Sequence, residues 1–314
     1  MVLRLLKRTA VFVASIAAAT IVVFAFMAVL PGDPAEVALG VNATPEAVAA
    51  LRAEFGTDRP PVVQYLDWVG SLVTGDFGIS YVTRDLIGPQ VVDRLLVTLW
   101  LVVTSMVLAV LIAVPVGTVM AVRHRGLSGL ALSALSQLGI AVPAFLAGIL
   151  AVAFFAVRLG WLPSGGWTPP NQDPVSFVQH LILPAAALGI AQAAVLARYV
   201  RTAVLDVLRE DYLRTARAKG LTPYRALLRH GLRNAAIPVS TVLGLQLATL
   251  LVGAIVVERV FVIPGLGSLL LDGVANRDLL LVQGVVMVLV VAVLLVNYLV
   301  DVLYTALDPR LRTS

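Results

Sequence analysis

Apolar residues in this chain run in six long stretches free of Asp, Glu, Lys and Arg. They are Thr9–Gly32, Leu95–Val122, Gly126–Val157, Pro174–Ala197, Asn234–Val257 and Leu279–Val300, none shorter than 22 residues. An α-helix rises about 1.5 Å per residue, so about 20 residues cross a hydrocarbon layer of roughly 30 Å. Lipid offers the backbone no hydrogen-bond partners, which leaves helices or closed barrels as spanning structures. These runs are too long and too uniformly apolar for barrel strands. The pattern predicts an all-α integral membrane protein with six transmembrane helices. It also predicts one transmembrane domain over 1–314: a first helix at 9–30, an extracytoplasmic helical insertion at 31–93, and a five-helix core at 95–305 carrying a cytoplasmic elbow at 205–235.

Polar positions punctuate the insertion. Thr44 is placed to cap a helix with Pro45 first and Glu46 in the first turn. Val48, Leu51 and Phe55 then share a face, and Gly56 is placed to end the helix. A second helix is expected after Pro60-Pro61, with Val63, Leu66, Val69 and Leu72 at three-residue spacing. A surface cap and a docking surface for an external protein both fit these two helices.

The inner segment Arg209–Pro238 has a different pattern. Arg209–Lys219 reads as a helix that Gly220 stops in the left-handed conformation. Thr222 caps a second helix with Pro223 first. In that helix Tyr224, Leu227, Leu228 and Leu232 are expected on one face, with Arg225, Arg229 and Arg233 on another. Two short helices meeting at Gly220 would form a stiff elbow. The bland alternative is a basic loop lying on anionic lipid.

Polar residues inside the spans include Thr104, Ser105, Ser133, Ser136, Gln137, Gln192, Gln246 and Asn297. Such groups join helices through hydrogen bonds or line a pathway. Gln137, Gln192, Gln246 and Asn297 are the candidates for lining one. Ala185, Gly189, Ala193 and Ala197 form a small-residue stripe at i+4 spacing, suited to close helix packing.

Composition sharpens this picture. Residues are 60% hydrophobic and 13% charged, against about 25% charged in a soluble domain. No separate soluble enzyme is expected, and no nucleophile–base constellation stands out. The chain has no cysteine, which excludes disulfides, iron–sulfur clusters and thiol catalysis. His124, His180 and His230 lie in different segments, poor material for a metal site. The two lysines, Lys7 and Lys219, do not follow a Gly-x-x-x-x-Gly, so there is no phosphate-binding loop of the nucleotide-hydrolysing kind. No charge sits in the middle of a span and no inverted repeat is visible, both of which argue against an ion-coupled carrier. Energy for uphill transport would have to come from another chain.

The net charge of +5 suggests a nucleic-acid partner until its placement is considered. Arg4, Lys7, Arg8, Arg123, Arg125, nine cations between Arg198 and Arg233, Arg310 and Arg312 fall on one side if the chain crosses six times. The positive-inside rule makes that side cytoplasmic, with both termini there and no nucleic-acid partner. The segment 31–93 carries nine acidic residues, which suits the outside. Trp68, Trp100, Trp161 and Trp167 lie in or beside predicted outer segments, where amphipathic rings favour the interface. The apolar part of the first 30 residues exceeds a signal-peptide core and is read as a retained first helix.

Ordered motifs then carry a resemblance from end to end: LPGDPAE (Leu30–Glu36), ATPEAVAALRAEFG (Ala43–Gly56), GDFGIS (Gly75–Ser80), DYLRTARAKGL (Asp211–Leu221), RHGLRNAAIPV (Arg229–Val239), VVERVFVIPGLG (Val256–Gly267) and DVLYTALDPRLR (Asp301–Arg312). With these the chain resembles the inner-membrane permease of a binding-protein-dependent ATP-binding-cassette importer. More narrowly, it resembles the first of the two permeases of the dipeptide/oligopeptide/nickel class. The wider family carries Glu-Ala-Ala, three residues, then Gly. Here the positions hold Arg214, Thr215, Ala216 and Gly220, and Pro238 comes later than the wider pattern's Leu-Pro. The peptide branch resembles this chain in those departures.

The resemblance implies the type I importer fold and an elbow seated in a cleft of an ATPase subunit. The coupling contacts it implies are Thr215, Ala216, Lys219, Gly220, Leu221, Thr222 and Tyr224, with Arg225 and Arg229 beside them. It further implies a second homologous permease, two ATPase subunits that bind ATP and Mg, an extracytoplasmic substrate-binding protein, and no cofactor in this chain. Di- and oligopeptides are the implied cargo, with nickel complexes, glutathione-like compounds and oligosaccharides as alternatives. Asp301 is placed either to pair with an inner-side arginine or to end a helix in solvent. An ion-coupled secondary carrier and a membrane scaffold or receptor that moves nothing are the competing classes.

Overall fold

Capping chemistry sets the short helices in the computed structural model, which describes residues 2–29 and 32–307. After α1 (Val2–Val29), Asp33 Oδ1 accepts from Ala35 N at 2.9 Å and opens α2 (Pro34–Leu39), a turn the sequence pattern did not announce. Thr44 Oγ1 accepts from Ala47 N at 3.3 Å and opens α3 (Pro45–Phe55). Gly56 ends α3 at φ +69, a left-handed conformation that a residue with Cβ resists. Pro61 opens α4 (Pro61–Val73) as the sequence predicts.

The long helices outrun the charge-free stretches. They are α5 (Ile87–Val122), α8 (Pro174–Leu208), α11 (Leu232–Val260) and α13 (Leu279–Leu307). A helix satisfies its own backbone in either medium, so charged residues such as Asp93 and Arg198 extend it past the apolar run. A shorter helix, α12 (Leu266–Ala275), precedes α13. Asp301's side chain and residues 308–314, with Arg310 and Arg312, lie outside the described residues.

The third run, over Gly126–Val157, is a bent pair of helices and not one straight helix. α6 (Leu127–Ala141) stops at Val142, which is extended at φ −87 and ψ 118. Pro143 lacks an N–H, and its ring crowds a helical residue before it. α7 (Ala144–Ala151), prolonged by the π-helical stretch Val152–Arg158, leaves at 95°. Among the described residues five helices are long and apolar enough to span, or six spans if the bent pair is one.

The described residues form two compact units. One comprises residues 2–6, Leu99–Ile263 and the second half of α13, and centres on α8. The small-residue stripe is buried there: Ala185, Gly189, Ala193 and Ala197. A Cβ on Gly189 would sit 2.9 Å from the backbone oxygen of Ser105, so α5 and α8 meet backbone to backbone. Gly117 is tighter still, since a Cβ there would lie 2.6 Å from Ala197 O. Ser136 Oγ donates to Ala194 O at 2.6 Å and ties α6 to α8. Trp100 and Trp167 each meet the ring of Phe177 at 5.3 Å.

The other unit comprises Lys7–Thr98 and Pro264–Leu295. Ile87, Val91, Leu266, Leu269, Leu281 and Val285 make one core cluster, and Ala35, Val48 and Leu51 a smaller one. Tyr65 on α4 shares a 2.9 Å hydrogen bond with Thr20 on α1 and stacks edge-on against Phe24 at 5.4 Å. Buried Asp278 accepts from Ser80 Oγ and from Tyr81 N at 3.3 Å, clamping the 74–86 loop to the start of α13.

Candidate functional site

The elbow begins at α9 (Asp211–Ala218), whose one buried residue is Leu213. Gly220 follows at φ +91. Its N–H donates to Arg217 O at 3.0 Å, and Leu221 N donates to Ala216 O at 3.3 Å, closing the helix end. Thr222 Oγ1 then accepts from Arg225 N at 3.3 Å and caps the next turn, as the sequence predicts. Asn234 Nδ2 donates to Tyr212 OH at 2.9 Å and fastens α9 to α11.

Two details differ from the sequence reading. The second elbow helix is not separate. α10 (Pro223–Ala226) passes through a π turn, Leu227–Gly231, directly into α11, giving one helix of 37 residues over Tyr224–Val260. The expected apolar face also divides. Leu227 is fully buried, whereas Tyr224 and Leu228 are 60% and 47% exposed. Leu232 is half-buried. The π turn changes the angular spacing, so a 3.6-residue projection misplaces the face. Buried Leu227, Gly231 and Ala235 replace it. A Cβ on Gly231 would meet Val207 Cγ1 at 3.1 Å, so helices crowd there.

The elbow therefore presents an exposed outer surface on an anchored frame. Thr215, Lys219, Thr222, Tyr224, Arg225 and Arg229 are exposed, while Ala216 and Leu221 pack against the core beneath.

A second group of candidates meets within the α8–α11 contact. Gln192 Nε2 donates to Thr249 Oγ1 at 3.2 Å. Thr249 Oγ1 is in turn placed to donate to Gln246 O at 2.8 Å or to Gln246 Oε1 at 3.3 Å. Gln192 Oε1 and Gln246 Nε2 remain buried without a partner among the described residues. Buried polar atoms are nearly always satisfied, so two orphans in one cluster mark it as a place where polar groups are held ready. Gln137 is exposed on α6 and Asn297 half-buried on α13; neither joins the cluster.

The structure also shows residues that sequence reasoning missed. Glu258 is fully buried near the end of α11. Its signal lay in the sequence as the one acid of VVERVFVIPGLG, just beyond a charge-free run. Asp278 is another, its Oδ1 accepting from Leu281 N at 3.3 Å at the start of α13. Beside it burial, with Asp278's charge added, pushes the Tyr81 phenol up to about 12. His124 and His180 bond within their own turns, to Ala121 O at 2.9 Å and Ser176 O at 2.7 Å.

Long apolar helices and a glycine-stopped elbow among the described residues are the features of a transport permease. Residues 113–313 match the family described as binding-protein-dependent transport system inner membrane component, and residues 1–102 match the N-terminal part of such components. The chain belongs to this family and is the permease of an ATP-binding-cassette importer, a multi-pass inner-membrane subunit whose ATPase is a separate chain. It is 43% identical over 308 residues to the glutathione transport system permease protein GsiC of Salmonella typhimurium, covering 98% of each chain. GsiC of Escherichia coli is 42% identical with the same coverage. An inward-facing form of the MetNI methionine ABC transporter aligns at TM-score 0.55 and 20% identity, over 70% of this chain and 96% of that one. An amino acid ABC transporter with histidines aligns at TM-score 0.51 and 18% identity, over 70% and 94%. At those identities the structures speak for the fold alone. Membership implies an ATPase and a substrate-binding protein as partners.

Proposed function

We propose that this permease forms half of the pathway of an importer for short peptides, glutathione among them. A second homologous permease supplies the other half, and two ATPase subunits bind ATP and Mg. A binding protein delivers cargo to the 31–93 insertion. Both termini face the cytoplasm, and this chain holds no cofactor. The elbow receives the ATPase through Thr215, Ala216, Lys219, Gly220, Leu221, Thr222, Tyr224, Arg225 and Arg229. Gln192 and Gln246 line the pathway, with Gln137 and Asn297 further candidates. The relatives named for glutathione transport support the cargo class.

One observation carries the coupling reading. Exposed Tyr224 and Leu228 sit on a helix continuous with a 37-residue span. A push on that surface therefore moves the whole of α11. Large apolar side chains left outside on a rigid frame are what a partner surface requires. A two-state bundle driven from its inner end is sufficient for alternating access.

Gly220→Val tests it. An added Cβ meets nothing within 4 Å, so any effect comes from the backbone at φ +91 alone. A β-branched residue there costs about 1–3 kcal/mol. ATP-driven glutathione uptake by the reconstituted complex should fall at least tenfold while membrane insertion persists; unchanged uptake would refute the coupling role. Arg225→Glu with Arg229→Glu should weaken ATPase co-purification.

A further inference from the structure

The orphaned donor of Gln283 lies outside both the elbow and the α8–α11 cluster. This residue of α13 is 7% exposed, and its Nε2 has no hydrogen-bond partner among the described residues. A buried donor left unpaired costs about 1–3 kcal/mol, so its retention calls for an explanation. Gln283 forms part of the wall of a cavity of about 320 Å³, bounded by α1, α3, α4, the 74–81 loop and α13 within one unit. Small-molecule pockets begin at about this size.

The charges of that wall do not cancel. Asp67 pairs with Arg59 at 3.0 Å, and Glu54 with Arg84 at 2.9 Å. Asp76 is in no ion pair among the described residues; its Oδ1 accepts from Gly78 N at 2.8 Å. Phe24, Trp68 and Phe77 contribute aromatic surface. An uncompensated carboxylate beside aromatic faces attracts an organic ammonium. An amide N–H seeks a carbonyl or carboxylate oxygen. A group that presents both, one atom apart, is the α-aminoacyl unit at the start of a peptide.

We propose that this cavity binds the α-aminoacyl end of a short peptide, with the ammonium on Asp76 and the adjacent oxygen on Gln283 Nε2. The assignment goes beyond the transport reading and does not depend on it, because it follows from groups away from the elbow and the α8–α11 cluster. It gives the insertion a direct contact with small solutes in addition to any docking of a binding protein.

The full chain in lipid nanodiscs, without partners, tests this by calorimetry and by tryptophan fluorescence. The probes are alanyl-alanine and N-acetyl-alanyl-alanine, which lacks the ammonium. Saturable binding of the free dipeptide is expected, about tenfold tighter than the acetylated form, which corresponds to one charge-assisted contact. Gln283→Leu and Asp76→Asn should each weaken binding by about tenfold. Trp68→Phe should abolish the fluorescence change, which places the responding indole at the cavity. Asp76 is exposed, so its variant remains informative if Gln283→Leu misfolds. Equal affinity for the two probes, no saturable binding of alanyl-alanine, or unchanged affinity in Asp76→Asn would overturn the proposal. Binding without uptake by the assembled transporter would count against the transport reading and leave this one standing; uptake without binding would do the reverse.

Discussion

Four prolines fall well inside apolar runs, away from their ends, and the chain treats one of them differently. Pro115, Pro184 and Pro238 sit within continuous helices, whereas Pro143 ends one and turns the backbone by 95°. Composition does not separate them, since the residue before each is Val, Leu, Ile or Val. Packing does. Buried Ala113 and Gly117 flank Pro115, buried Leu183 and Ala185 flank Pro184, and buried Val239 follows Pro238. Around Pro143, Ile140, Ala141 and Val142 are all exposed and Ala144 only half-buried. A proline always removes one backbone hydrogen bond. Whether the helix survives depends on whether neighbouring helices hold both sides of the gap.

The largest effect should come from removing that support. Gly117→Leu would drive a side chain into Val200 Cβ, 2.7 Å from an ideal Cβ, two residues after Pro115. Overpacking of this kind costs about 3 kcal/mol. The thermal unfolding midpoint of the detergent-solubilised chain should fall sharply. A midpoint within error of the parent would mean that Pro115 is held by something other than the α5–α8 approach.

The next test releases the bend. Because the chain contains no cysteine, spin labels can be placed singly, at Leu130 and Val157. At 1.5 Å per residue a straight helix would put these positions about 40 Å apart, and the 95° turn brings them to about 25 Å. Pro143→Ala restores an N–H and lifts the steric bar on Val142. Pulsed dipolar measurement should show the distance distribution moving toward the longer value. An unmoved distribution would assign the bend to tertiary packing instead of to the proline.

This contrast also shows what could be read in advance. Caps at Thr44, Thr222 and Gly56, and the left-handed stop at Gly220, were legible because each is a local bargain between one side chain and its own backbone. The small-residue stripe of α8 was legible for a related reason, since size alone permits close approach. The Pro143 break, the π turn at Leu227–Gly231 and the Ser80–Asp278 clamp were not. Each is decided by residues distant in sequence, or by a departure from the 3.6 period that the reading assumes. The polar cluster was half legible. Gln192 and Gln246 stood out as uncommon residues in apolar runs, but Thr249, which joins them, did not.

The smallest effect should come from Pro184→Ala. The new N–H recovers one helical hydrogen bond, while the lost ring leaves a small void among Leu183, Ala185 and their neighbours. These terms oppose each other and should leave stability within about 1 kcal/mol of the parent. Labels at exposed Val175 and Ile190 should keep their spacing to within about 2 Å, because the buried flanks, not the ring, set the course of α8. A larger shift would show that Pro184 itself shapes the helix. The four prolines would then differ in degree only, and burial of the flanks would lose its place as the variable that separates a crossing helix from a broken one.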